Sequence, residues 1–183
     1  MIVVGVTGAS GAIYARLLLD ELHRSTQDVQ VGVVFSQKGI EVWKHETGSS
    51  PTLSGYPFSV FSNDDFTAPF ASGSSLCEAM IICPCSMGTM GKIANGISDS
   101  LIVRAADVML KERRRLILAV RETPISLIHI NNMQKLAQAG AIIAPASPAF
   151  YSHPQTVEQV AMTVVDRLMQ LAGIYKECYR WGK

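Results

Sequence analysis

Residues 3–14 read Val-Val-Gly-Val-Thr-Gly-Ala-Ser-Gly-Ala-Ile-Tyr, an apolar run followed at once by a glycine-studded turn and an amphipathic stretch. That order predicts a strand, a tight loop and a helix. Gly8 and Gly11 permit positive φ and let a ligand approach the main chain with no Cβ in the way. The helix starting near Ala12 would aim unpaired N–H groups and its positive dipole end at the loop, so an anion, a phosphate foremost, is the expected occupant. The competing reading is a plain chain reversal that uses glycine for geometry alone, since a Gly-x-x-Gly-x-x-Gly pattern has little specificity unless it follows a first strand.

Four further apolar runs follow, at residues 29–35, 79–83, 116–120 and 141–144, each separated from the next by helical periodicity. Their hydrophobicity is continuous rather than alternating, which fits strands covered on both faces. The expectation is a single-domain, doubly wound, mostly parallel α/β sheet, Rossmann-like or flavodoxin-like, over residues 1–183. Helices are expected at residues 12–24, 38–47, 87–95, 101–113, 126–139 and 155–172. The last has the clearest pattern: Val157, Val160, Ala161, Val164, Val165, Leu168 and Leu171 share one side, with Pro154 before it and Gly173 after it. Between residues 47 and 75 the pattern gives way to Ser, Gly, Pro and aromatic residues. A stretch this long before the third strand reads as a partly structured cover over the carboxyl edge of the sheet, or as a wandering surface connection.

Charged residues make up 17% of the chain, against about a quarter in ordinary soluble domains, so apolar surface is expected to meet other copies of the chain. The net charge of +1 supplies no field that would gather nucleic acid or a membrane surface. No apolar stretch reaches the roughly 20 residues of a bilayer span, and Met1 leads straight into a strand rather than into a signal peptide, so a cytoplasmic location is expected. Cys77, Cys83, Cys85 and Cys178 have neither Cys-x-x-Cys spacing nor a companion histidine cluster. No metal site is expected, and Cys83 and Cys85 read as small core hydrophobes.

In an open parallel sheet, ligands gather at the carboxyl ends of the strands near the reversal of strand order. The residues following each run are therefore the candidates: 7–11, Ser36, 84–89, 121–124 and 145–151. A dinucleotide enzyme would place an acidic residue at the tip of the second strand to hold a ribose diol. Ser36-Gln37 stands there instead, which favours a mononucleotide. Its phosphate would suit the hydroxyls and amides of Ser86-Met87-Gly88-Thr89 at a helix start, although Ser86 also reads as a simple N-cap. Arg121-Glu122 directly follows an apolar strand, and it reads as a polar site or as an ion pair satisfied by neighbours. In the site reading Arg121 grips a phosphate or carboxylate, and Glu122, if desolvated, moves a proton. Lys111, Tyr151 and Arg167 carry no signal by spacing alone.

Several blocks taken in order carry a resemblance to a known family. They are Gly5-Val6-Thr7-Gly8-Ala9-Ser10-Gly11, Ala71-Ser72-Gly73-Ser74, Cys83-Pro84-Cys85-Ser86-Met87-Gly88-Thr89, Arg104-Ala105-Ala106-Asp107-Val108 with Leu110-Lys111-Glu112-Arg113, Arg121-Glu122-Thr123-Pro124 with Ile128-His129 and Asn132-Met133, and Pro148-Ala149-Phe150-Tyr151. Spread over nearly the whole chain, they resemble the UbiX-type flavin prenyltransferases of the UbiX/Pad family. The resemblance implies an enzyme that joins a dimethylallyl group from dimethylallyl monophosphate to reduced FMN, closing a fourth ring through flavin N5 and C6. The product, prenylated FMN, would serve a UbiD-type decarboxylase, in ubiquinone biosynthesis or aromatic acid decarboxylation. The resemblance also implies a homododecamer built from trimers and no metal.

Carried over by position, the flavin contacts fall on Gly8, Ala9, Ser10, Ser36, Ser86, Met87, Gly88, Thr89 and Arg121. The prenyl-phosphate contacts fall on Tyr151 and Arg167, with Lys111 and Glu46 at matching positions where a neighbouring subunit could supply them. Glu122 matches the acid/base residue, and Ser10 stands beside flavin N5. Phe66 takes the place of a frequent tryptophan, keeping an aromatic face for an allylic cation with a weaker quadrupole. Flavin-dependent cysteine decarboxylases share the glycine loop and Ile93-Ala94-Asn95-Gly96. They carry Pro-Ala-Ser-Ala-Asn-Thr where this chain has Pro84-Cys85-Ser86-Met87-Gly88-Thr89. A non-enzymatic FMN carrier is the remaining alternative.

Overall fold

The computed structural model describes residues 1–25, 29–175, 178–179 and 182. Among them, six strands form one sheet: β1 (Ile2–Val6), β2 (Val31–Phe35), β3 (Ser59–Phe61), β4 (Ala79–Cys85), β5 (Arg115–Val120) and β6 (Ile142–Pro145). The order is β3-β2-β1-β4-β5-β6, and every adjacent pair is parallel. Reversal of strand order therefore falls between β1 and β4, as in the Rossmann arrangement. The helices are α1 (Ala12–Arg24), α2 (Gln37–Thr47), α3 (Met87–Ala94), α4 (Leu101–Lys111), α5 (Leu127–Gln138) and α6 (Val157–Ala172). None of the described helices is long and apolar enough to cross a membrane.

Successive strand residues feed opposite faces, as a period of two requires. Val4, Ile81 and Ile117 pack with Leu18, Trp43, Val165 and Leu168 under α1, α2 and α6. Val3, Met80, Ile82, Leu116 and Leu118 pack with Met90, Ile102, Val103 and Leu136 under α3, α4 and α5. Both clusters are buried, which is why the strands read as unbroken apolar runs. Cys83 and Cys85 fall on opposite sides and lie within the core, so burial pushes both thiols up, that of Cys85 to about 12. They are packing groups.

The edge strand β3 corrects the expectation of five strands. Ser59-Val60-Phe61 is only three residues long and half exposed, and it pairs with β2 alone, so it lacks the apolar signature of its neighbours. The long segment before β4 is thus partly structured. Tyr56 ties it to α1 by donating to the Asp20 carboxylate, and the Tyr56 ring stacks on Phe58 with centroids 5.3 Å apart. Helix ends otherwise fall within two residues of expectation.

Two glycines let α2 press against the tip of β1. A Cβ on Gly39 would lie 2.4 Å from the carbonyl oxygen of Val6, and one on Gly8 would lie 2.6 Å from Lys38 Cβ. The first contact is with rigid main chain, so Gly39→Ala should destabilise the fold by about 2 kcal/mol, in the range of overpacked cores, read as a lower denaturant midpoint at unchanged slope. An unchanged midpoint would show that α2 can lift away from the sheet.

Candidate active site

At the carboxyl edge, next to the reversal of strand order, three helices begin around one hollow of about 380 Å³. Ser36 caps α2 by accepting from the Gly39 amide at 3.0 Å. Ser86 caps α3, accepting from the Thr89 amide at 3.3 Å and donating to Thr89 Oγ1 at 3.1 Å. The start of α4 is capped from outside: Asn63 Oδ1 accepts from the Ile102 amide at 3.1 Å, and its carbonyl accepts from Leu101. First-turn amides and the positive ends of three helix dipoles thus face one space. Gly8, Lys38, Thr89 and Lys92 also line it. Both lysines are engaged at its rim, Lys38 with Glu41 at 2.7 Å and Lys92 with Asp99 at 2.8 Å. A Cβ on Gly88 would meet nothing within 4 Å. Met87 turns its side chain into the core, so only its main chain is available to a ligand.

The start of α1 corrects the expectation of a bound anion there. Its occupant is the chain's own Glu46 carboxylate, which accepts from the Ala12 amide at 2.7 Å and from the Gly11 amide at 3.0 and 3.1 Å. Gly11, with φ of 119°, ends the loop in a conformation that glycine adopts freely and brings its amide round to that carboxylate. Burial alone would push the Glu46 carboxyl up. The Ser10 hydroxyl, the Ala12 and Gly11 amides and the nearby Arg121 guanidinium outweigh it and hold the group below its ordinary value.

Arg121, at the tip of β5, stands beside this loop, its Cδ 3.7 Å from where a Gly11 Cβ would be. Its Nε is buried without a hydrogen-bond partner, an unsatisfied donor on a guanidinium that makes no ion pair among the described residues. The ion-pair reading of Arg121-Glu122 is therefore set aside. Glu122 is exposed, and its Oε1 accepts from the Thr123 amide at 3.0 Å. Within one chain it lacks the desolvation that a proton-moving role calls for.

Tyr151 and Arg167 share a different hollow, of about 260 Å³, past the end of β6 beside α6. Arg167 Nη1 donates to Gln170 at 3.1 Å. The tips of β1 and β6 are three strand spacings apart, about 14 Å, with Arg121 between them on β5. Lys111 is not on this edge of its own chain: it ends α4, roughly 15 Å along the helix from the first hollow, and its Nζ donates to Glu112 at 2.7 Å. Phe66 is 48% exposed. The chain thus gathers Gly8, Ser36, Ser86, Gly88 and Thr89 in one hollow and Tyr151 and Arg167 in another, and it leaves Lys111 and Phe66 apart from both. Asn63, which joins the first hollow to α4, was not among the residues expected. Its only signal was the turn triplet Asn63-Asp64-Asp65.

A parallel sheet in this strand order, with helix starts converging at its switch point, defines the class of nucleotide-binding α/β proteins. Within that class the chain belongs to the Flavoprotein family, whose sequence profile matches residues 1–171. A protein named flavin prenyltransferase UbiX from Methanocaldococcus jannaschii is 42% identical over 183 residues, covering 99% of this chain and 98% of the relative. A crystal structure of AnUbiX (PadA1) in complex with FMN and dimethylallyl pyrophosphate superposes with a TM-score of 0.89 at 40% identity, covering 98% of this chain and 97% of the other. A dodecameric FMN-dependent UbiX-like decarboxylase from Escherichia coli O157:H7 gives 0.91 at 37% identity, with 98% of each chain covered.

Glu46 offers a direct test of the helix start it occupies. A carboxylate whose native pKa is depressed stabilises the fold fully above its ordinary value of 4.5, and that contribution is lost as pH falls through the lower native value. Glu46→Gln should therefore be less stable than the parent by about 0.5 kcal/mol at pH 7, a figure kept small by solvent screening. The gap should close as the pH is lowered below the carboxylate range, and denaturant titrations at several pH values read both effects. A gap independent of pH would mean that the charge contributes nothing.

Proposed function

We propose that this chain is a flavin prenyltransferase that joins a dimethylallyl group from dimethylallyl monophosphate to reduced FMN. The observation that carries the reading is the buried, unpartnered Nε of Arg121, placed on the same edge as both hollows. A guanidinium donor left unsatisfied in a folded chain calls for an anion or a carbonyl acceptor to complete it. The relatives lend the rest: the Methanocaldococcus jannaschii protein bears the name of this activity, and AnUbiX was solved with FMN and dimethylallyl pyrophosphate. The residue blocks of the cysteine decarboxylases, absent here, weigh against that alternative.

The donor set suits a flavin mononucleotide. The α3 start with Ser86, Gly88 and Thr89, together with Ser36, would hold the phosphate, Gly8, Ala9 and Ser10 would pass close beneath the ring system, and Arg121 would donate to the flavin. Reduced FMN supplies N5, whose new bond to carbon replaces the allylic C–O bond, and C6, which bonds to the far prenyl carbon as the alkene is protonated at its middle carbon. The two protons lost from N5 and C6 balance that proton and the one taken by the departing phosphate. Breaking the allylic C–O bond separates a cation from a phosphate, so cationic and phenolic groups must surround the leaving group while water is kept out. Tyr151 and Arg167 fill that need from β6 and α6. Lys111 and Phe66 enter the site from a second copy of the chain, and Glu46, seated on the Gly11 and Ala12 amides, holds the Ser10 side of the loop in place. Glu122 takes up the proton lost from flavin C6 and assists departure of the phosphate, becoming desolvated when a neighbouring copy covers the edge.

Self-association follows from the surface as well as from the site. Leu127 and Ile128 on α5 are each 71% exposed, and Phe150 is 65% exposed. A homododecamer, the assembly named for the Escherichia coli relative, would cover them. Residues 1–183 act as one domain in the cytoplasm, and the prenylated FMN released passes to a UbiD-type decarboxylase.

Anaerobic incubation of the chain with reduced FMN and dimethylallyl monophosphate should yield a flavin heavier by one prenyl unit in mass spectrometry. The pyrophosphate is run alongside as a second donor, and absence of the product with both donors would overturn the reading. Glu122→Gln should keep FMN binding and lower the rate of ring formation by about 100-fold, as expected for removal of a positioned acid/base group. Parent-like turnover would remove Glu122 from that role.

A further inference from the structure

The geometry points to Thr7 as the positioning residue that aims the amino terminus of α3 at the phosphate of the ligand, an inference that rests on the FMN-binding reading. Thr7 directly follows β1 and is 1% exposed. Its hydroxyl donates to the Pro84 carbonyl at 2.7 Å and accepts from the Ser86 amide at 2.8 Å. The Thr7 amide reaches the same carbonyl at 3.3 Å. One buried side chain thus bridges the tips of the two strands between which the strand order reverses.

Ser86 matters because it is the cap from which α3 starts. Its hydroxyl is already committed to Thr89, both to the amide and to Oγ1, so it cannot also fix the orientation of its own peptide. That orientation is set from the β1 side, by Thr7, and it decides where the first-turn amides of Met87 and Gly88 point. Those amides have no partner within the helix, as at any helix start. Hydrogen bonds to a phosphate are charge-assisted and fall off steeply with angle, so a small rotation of the cap costs affinity for a phosphorylated ligand specifically.

A valine would fill the same space without the hydroxyl. The Ser86 amide would then lose its partner at a half-buried position, and the Pro84 carbonyl would keep the longer main-chain bond from Thr7. The cap would turn to regain a partner. A threonine that merely satisfied two strand ends would affect the stability of the fold and every ligand alike. A threonine that aims α3 affects the phosphate alone.

Riboflavin, which is FMN without its phosphate, separates these roles. Flavin fluorescence titrations on the flavin-free assembled protein should show the parent binding FMN more tightly than riboflavin. Thr7→Val should lose about tenfold in FMN affinity, the size expected for misaligned charge-assisted bonds, with riboflavin affinity unchanged. Thr7→Ser, which keeps the hydroxyl, should restore the parental ratio. Equal loss for both flavins, or a parental ratio in Thr7→Val, would overturn the role of Thr7. If the valine variant does not fold, Thr7→Cys, with a similar volume and a weak acceptor, is judged by the same ratio. A parent that binds both flavins equally would instead remove the FMN-phosphate reading, and this inference with it.

Discussion

A helix cannot use the N–H groups of its own first turn, and in a parallel sheet every helix that follows a strand presents those groups on the same edge. This constraint governs the molecule. The carboxyl edge collects the starts of all six helices, α1 to α6, and each must find acceptors. The chain supplies some of them: Ser36 and Ser86 each satisfy one amide, Asn63 satisfies two, and Glu46 satisfies two main-chain amides together with the Ser10 hydroxyl. The starts of α2, α3 and α4 bring their first-turn amides round one hollow, and there a ligand can complete what a helix start leaves open.

The platform beneath this edge is stiff. The central strands β1, β4 and β5 are buried along almost their whole length, with side chains locked into cores on both faces. The candidate site groups therefore stand on the strand tips at intervals fixed by the sheet: Ser36 on β2, the glycine loop on β1, Ser86 on β4, Arg121 and Glu122 on β5, with the Tyr151 hollow beyond β6. From the tip of β2 to that of β6 is four strand spacings, about 19 Å. That span suits an extended ligand laid across the edge better than a compact one sunk between two elements.

Much of this was legible in the sequence, and the physical reasons differ from part to part. Strands buried on both faces betray themselves as unbroken apolar runs, so β1, β2, β4, β5 and β6 could be read together with the edge on which to look. Ser36 and Ser86 stood out because a serine before a helical pattern has a local meaning. β3 did not, since three half-exposed residues on an edge carry too little hydrophobic signal. The partner of the α1 start was equally hidden: Glu46 lies 34 residues from Ala12 along the chain, and only tertiary contact reveals that the anion is internal. The roles proposed for Lys111 and Arg167 could be reached only through resemblance, because a cation on a helix surface looks the same whether it faces solvent or a neighbouring subunit.

The carboxylate held against α1 also settles a question of direction. Two open anion seats, one at α1 and one at α3, would let a ligand with a single phosphate lie across the edge in either sense, presenting opposite faces of its ring to the same side chains. With one seat filled by the chain itself, the tie is broken before any ligand arrives. A single remaining seat gives the edge a built-in polarity, so that one face of a planar ligand is always turned to the same side chains.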